Sequence, residues 1–208
     1  MFTLEPVVHL KTRTVLYREA LWRPLGQNHP VGPMLQAANS LGLMRTLDFA
    51  MATAVRDFVL SSPIDSRIGL NLEPMTVVEN GEGILRLLGP ALRGMVIEIT
   101  ERGDSTLLDD DAFRQFIERA CSNGGLVALD DLGERMYADY ARVIPAIKPA
   151  FVKADKARGG CIGSCQELRR FLHRREDRDA GRSGRRCCRR SGVRPRLLVH
   201  RKRAPGGR

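Results

Sequence analysis

Five short apolar runs, each delivering a charged or amide side chain near its C-terminal end, constrain this chain more than any other feature. Val15–Trp22 ends around Glu19-Ala20-Leu21. Ile68–Leu72 carries Asn71. Residues 95–100 carry Glu98, with Glu101 just beyond. Leu126–Leu129 runs into Asp130-Asp131, and residues 151–152 run into Lys153. Each run reads as a buried strand, and helical patterns separate most of them. A (β/α) barrel presents a site in this way, with polar groups from several strand ends meeting on one face. Such a set of oxygens points to a hard cation that handles phosphate.

The alternation predicts an α/β fold, a modified TIM-type barrel. Runs at 4–9 and Val15–Trp22, separated by 10–14, predict an opening hairpin, so the first strand pair is antiparallel. Residues 24–33 read as a loop. Residues 34–43 and 44–60 read as helices, the second with Leu47, Met51, Val55 and Phe58 at helical spacing. Further helices are predicted at 83–88, 109–122 and 138–144. The acids opening the helix at 109 suit the positive end of its dipole. At 208 residues the chain is somewhat short for a barrel of about 250 residues.

The net charge of +10 comes from one end. Residues 1–156 carry 17 Lys and Arg against 20 Asp and Glu; residues 157–208 carry 17 against 4. The reading is therefore a barrel domain over 1–156 and an Arg-rich tail over 157–208. The tail is either a disordered basic arm or out-of-frame translation of a GC-rich gene, and the abrupt switch favours the second. As an arm it would bind nucleic acid, but Phe171 is the one aromatic residue among its arginines, so base stacking has little support. Cys161, Cys165, His173, Cys187, Cys188 and His200 match no common zinc finger in their spacing. No apolar run is long enough to span a membrane. No signal peptide is read at the N-terminus, and the expected location is the cytoplasm.

Each strand-end residue has a plainer alternative. Glu19 could be solvated, Asn71 could cap a turn, and Asp130 could begin a helix. Lys153 could extend its ammonium to water. Glu98, flanked by Val96, Ile97 and Ile99, is harder to dismiss, because a carboxylate among apolar neighbours is costly unless paired or metal-bound. The adjacent pair Asp130-Asp131 would repel unless a cation lies between them. Carboxylate and amide oxygens suit Mg²⁺ or Mn²⁺ and not zinc. The chemistry that needs such an array is phosphodiester hydrolysis.

The order Glu-Ala-Leu, Asn in a strand, Glu-Ile-Thr-Glu, Asp-Asp-x-Gly and a strand ending in Lys resembles the EAL domain, over about residues 2–155. That family comprises bacterial phosphodiesterases that linearise cyclic di-GMP to pGpG. The resemblance implies that Glu19, Asn71, Glu98 and Asp130 hold a first metal, and that Asp130 and Asp131 share a second. It implies that Lys153 positions or deprotonates the attacking water. Arg23 would contact a substrate phosphate, with Leu21 beside it on the substrate side, and Glu101 would steady the loop after Asp131. In two places the sequence departs from the family. The loop from Asp131 to Asp139 lacks the usual Phe before Gly133 and the small residues after it, which weakens the second metal site and the expected homodimer contact. A further Glu and a Gln, expected on the last two strands, are absent after residue 156. The expectation is a barrel lacking its last two strands and impaired as a hydrolase, or a non-catalytic module that binds cyclic di-GMP.

Overall fold

A computed structural model of the chain describes residues 1–9, 12–24, 30–62, 65–100, 105–130, 148–155 and 196–200. Seven strands lie in one sheet in chain order: β1 (Phe2–Val8), β2 (Val15–Trp22), β3 (Ile68–Leu72), β4 (Met95–Ile99), β5 (Leu126–Leu129), β6 (Phe151–Asp155) and β7 (Arg196–His200). β1 and β2 are antiparallel, with Glu5 opposite Glu19; every later pairing is parallel. The sheet curls until β7 comes near β1. The result is a partial TIM-type barrel with an antiparallel first pair, as the sequence led us to expect.

β7 falls in the Arg-rich segment, where we expected almost no strand. Its core, Leu197-Leu198-Val199, is a short apolar run with arginine and proline on one side and histidine and arginine on the other. It pairs with β6 in parallel, Lys153 opposite Leu198 and Asp155 opposite His200. The predicted helix at 138–144 lies outside the described residues.

Among the described residues four α-helices connect the strands: α1 (Gly32–Ser40), α2 (Met44–Ser61), α3 (Pro74–Leu88) and α4 (Asp111–Ser122). α1 begins two residues before its predicted start. α4 is capped by Asp110, whose carboxylate accepts from the backbone N–H of Ala112 at 2.7 Å. α3 extends nine residues upstream of the helix predicted at 83–88. Pro74 is tolerated at its first turn, and the chain kinks at Asn80 (φ −136°, ψ 15°) before continuing. Gly81 follows because α4 passes closely: a Cβ there would lie 2.9 Å from Phe116 Cδ2.

The period of two along the strands separates two apolar layers. Ile68, Leu70, Leu72, Met95, Ile97, Ile99, Val127, Leu129 and Val152 face the helices and pack with Val55, Val77, Ile84, Leu88, Phe113 and Ile117. Tyr17, Val96, Ala128 and Phe151 fall on the opposite face and form a second cluster with Val7. That inner layer is the floor on which the site stands.

Candidate functional site

Adding two to the floor positions gives the site. Tyr17, Gly69, Val96, Ala128 and Phe151 are each followed, two residues later, by Glu19, Asn71, Glu98, Asp130 and Lys153. Two residues along a strand return the side chain to the same face, about 6.6 Å further toward the strand's C-terminal end. The register staggers the set: Glu19 lies opposite Gly69 and not Asn71, Asn71 lies opposite Glu98, and Glu98 lies opposite Ala128 and not Asp130. Asp130 continues this edge, with its N–H on Ile99 O at 3.0 Å.

The side chains meet. Lys153 Nζ donates to Glu98 Oε2 at 2.6 Å and to Glu19 Oε2 at 3.1 Å, and lies 2.9 Å from Asp130 Oδ2. Asn71 Nδ2 donates to Glu19 Oε1 at 2.9 Å. Oxygens of Glu19, Glu98 and Asp130 all lie within 4.8 Å of one another. Glu98 is fully buried, and Glu19 and Lys153 nearly so. Asp130 and Asn71 are half-buried, which leaves the upper side of the cluster open to approach.

Electrostatics follow from this crowding. Burial raises the Glu98 pKa, the Glu19 charge adds to the rise, and the Lys153 ammonium opposes it; the result is about 8. Burial alone would lower Lys153, but Glu98, Glu19 and Asp130 outweigh it and hold its pKa above the usual lysine value. One ammonium thus faces three carboxylates. A second positive charge would relieve the remaining repulsion.

The donor set fits a hard dication. Three carboxylates and one amide oxygen are available, with no sulfur and no imidazole among them. Among the described residues Glu98 Oε1 is also buried without a hydrogen-bond partner, a costly position for a carboxylate oxygen.

The remaining expected residues are less gathered. Arg23 donates from Nη2 to Glu5 Oε1 at 3.0 Å and from Nη1 to Trp22 O at 2.9 Å. Its guanidinium is thus held to β1, at the rim and not in the cluster. Leu21 is half-buried on β2, opposite Thr3. Asp131 and Glu101 lie outside the described residues.

Three residues escaped the sequence reading. Gly69 matters because a Cβ there would fall 2.0 Å from Glu98 Oε1 and 2.9 Å from Tyr17 Cε2. Tyr17 could have been found by counting back two from Glu19. Asp48, buried on α2, accepts from the Glu73 backbone N–H at 3.1 Å, where β3 turns into α3. Its signal was a lone acid in an otherwise apolar helical stripe.

The family model described as EAL domain matches residues 1–174. No curated protein matches the chain. Among solved structures, BlrP1 of Klebsiella pneumoniae, in a manganese and cyclic di-GMP complex, is similar with a TM-score of 0.61 and 22% identity, covering 86% of this chain and 47% of that one. YkuI of Bacillus subtilis, a protein with an EAL domain in complex with cyclic di-GMP and calcium, gives 0.62 and 19%, covering 85% and 46%. An EAL domain protein of Listeria monocytogenes gives 0.63 and 16%, covering 96% and 85%. The chain thus spans about half the length of the first two, and at these identities the likeness speaks for the fold. The family match carries the assignment: it takes in every strand end that contributes to the cluster, and this chain belongs to the EAL domain family.

Proposed function

We propose that this chain is a cation-dependent cyclic di-GMP domain, derived from phosphodiesterases that yield pGpG and impaired in hydrolysis in this form. The observation that carries the reading is the cluster of Glu19, Asn71, Glu98, Asp130 and Lys153, joined by hydrogen bonds and ion pairs. The structures of BlrP1 and YkuI, with cyclic di-GMP beside manganese or calcium, support the ligand and the class of cation.

Glu19, Asn71, Glu98 and Asp130 would hold Mg²⁺ or Mn²⁺, with Asp131 toward a second ion. When bound, such an ion lowers the pKa of a water and neutralises phosphate charge. The protein's own groups do the rest. Asn71 fixes Glu19 by donating to Oε1, so that Oε2 faces the cluster. Lys153 supplies a fixed positive charge at the level where phosphate oxygens would sit. Without a cation the three carboxylates hold its pKa above the usual lysine value; with one bound it would position or deprotonate the attacking water. Arg23, once released from Glu5, would offer a fork of donors to a phosphate. Glu101 would brace the loop after Asp131.

Impairment is inferred from the far side of the sheet. The family pattern calls for a Glu on the strand after the lysine strand, yet β7 places Leu198 opposite Lys153 and carries no carboxylate. Residues 1–156 are read as the functional body. Residues 157–208, apart from β7, are read as an arm or an out-of-frame product that contributes no site residue. Homodimerisation and a cytoplasmic location remain part of the proposal. Among the described residues no helix is long and apolar enough to cross a membrane.

The test is equilibrium binding of cyclic di-GMP with and without Mn²⁺, alongside chromatography for pGpG. Mn²⁺-dependent binding with little or no product is expected, and Glu19→Ala should abolish it. Absence of binding at every cation concentration would overturn the reading. Turnover at an ordinary enzymatic rate of about 1–10 s⁻¹ would overturn the impairment.

A further inference from the structure

Tyr17 stands directly beneath the carboxylates and has no role in the mechanism above. Its side chain is fully buried, and its ring lies tilted at 31° against Phe151, with centroids 5.2 Å apart. That contact leaves the ring little freedom to turn. A tyrosine in such a place normally finds a partner for its hydroxyl. Here the oxygen is buried without a hydrogen bond among the described residues, and so is Glu98 Oε1.

These two orphans face the same gap. Glu98 Oε1 and Tyr17 Cε2 both converge on the space above Gly69, at 2.0 Å and 2.9 Å from where a Cβ would stand. Only a residue without a side chain leaves room for both. One donor and one acceptor, each lacking a partner among the described residues, thus border the same gap above Gly69.

We propose that Tyr17 is a positioning residue, whose hydroxyl donates to Glu98 Oε1 and so aims Oε2 at the seat shared by Glu19, Asp130 and Lys153. This rests on the cation reading of the site. Hydrogen bonds of this kind, one step behind a ligand, fix its orientation and typically change metal affinity about 10–100-fold when lost. Gly69 belongs to the same device, because it keeps the gap open.

Titration calorimetry with Mn²⁺ alone, on the full chain, tests the role. Tyr17→Phe removes one oxygen and keeps the ring. It is expected to weaken Mn²⁺ binding at least ~10-fold, with a modestly lowered unfolding midpoint in a chelator, because a buried acceptor loses its donor. Gly69→Ala should weaken it as well. Wild-type binding that Tyr17→Phe matches within about twofold overturns the role and leaves the cation reading standing, since losing a hydrogen bond that orients a ligand costs about tenfold or more. Failure of the wild type to bind Mn²⁺ overturns both. A second readout needs no cation and no Tyr17 variant. With Tyr137→Phe and Tyr140→Phe, Tyr17 is the sole tyrosine of the three in the chain. Its ultraviolet resonance Raman doublet should show a hydroxyl that donates strongly, and Glu98→Gln should weaken that signature. An unchanged doublet overturns the pairing.

Discussion

The two faces of the same strands meet opposite demands. On the helix side of β3 and β4, Ile68, Leu70, Leu72, Met95, Ile97 and Ile99 are all buried and apolar. On the inner side the same strands carry Gly69 and Asn71, Val96 and Glu98. The outer face gains by removing area from water, at roughly 25 cal/mol per Å². The inner face forgoes part of that gain to hold charge where water is scarce. A strand buried on both sides can therefore serve as core and as site holder together, with the period of two keeping the functions apart.

The largest effect should come from breaking the inner face at Lys153, the cation that the described residues place in the cluster. Lys153→Met leaves Glu19, Glu98 and Asp130 without their ammonium. Removing one partner of a buried ion pair costs about 3–5 kcal/mol. Chemical denaturation in a chelator should show that loss, and Mn²⁺ should recover much of it by taking the vacated charge. A loss that Mn²⁺ does not touch would mean that the carboxylates do not share a cation seat.

Leu70→Ala breaks the outer face one residue before Asn71. Leu70 is fully buried against the helices, so a loss of about 3 kcal/mol is expected from transfer and cavity terms. Mn²⁺ affinity should stay within a few-fold, because the side chain points away from the cluster. If stability and affinity fell together, the two faces would not be separable.

How far the sequence revealed this depended on which face carried the signal. The outer face was legible: runs such as Ile68–Leu72 and Met95–Ile99 are dense in β-branched and large apolar residues. The charged layer was legible as well, since Glu98 stands out among isoleucines and valines. What stayed hidden were relations across strands. Gly69 looks like any glycine until Glu98 Oε1 and Tyr17 are found above it. The first half of α3 was missed; Pro and Asn-Gly are breaker signals, whereas in the structure Pro74 opens the helix and Asn80-Gly81 makes its kink and its contact with Phe116. β7 was masked by its arginines.

Asp48 links the two faces, since it lies on the helix side but holds the turn that follows Asn71. Burial raises its pKa to about 7, against smaller opposing effects of hydrogen bonds from Thr76 and the Glu73 backbone. The unfolded carboxyl ionises near its ordinary value of 3.8. Between about pH 4 and 7 the folded protein therefore holds a proton that the unfolded chain has released, so stability falls as pH rises through that window. Asp48→Asn keeps an acceptor and removes the titration. The difference between wild type and variant should change by on the order of 4 kcal/mol across the window, and flatten above it. A constant difference from pH 4 to 8 would show that Asp48 ionises normally.

The smallest effect on stability, and the sharpest test of the rim, is Glu5→Gln. The Arg23–Glu5 pair is partly exposed, at 18% and 43% for the two side chains, and a pair of that kind contributes about 0–1 kcal/mol. Loss of it should move the unfolding midpoint little. Its effect on the ligand should be larger, because Arg23 can reach a phosphate only after leaving Glu5. With the competitor neutralised, cyclic di-GMP should bind severalfold tighter in Mn²⁺. Arg23→Ala should weaken binding in both backgrounds. Tighter binding would make Glu5 a brake on the rim arginine. Weaker binding would make it the residue that holds Arg23 in its working place, and would join the edge strand β1 to the site that the inner face of the sheet supports.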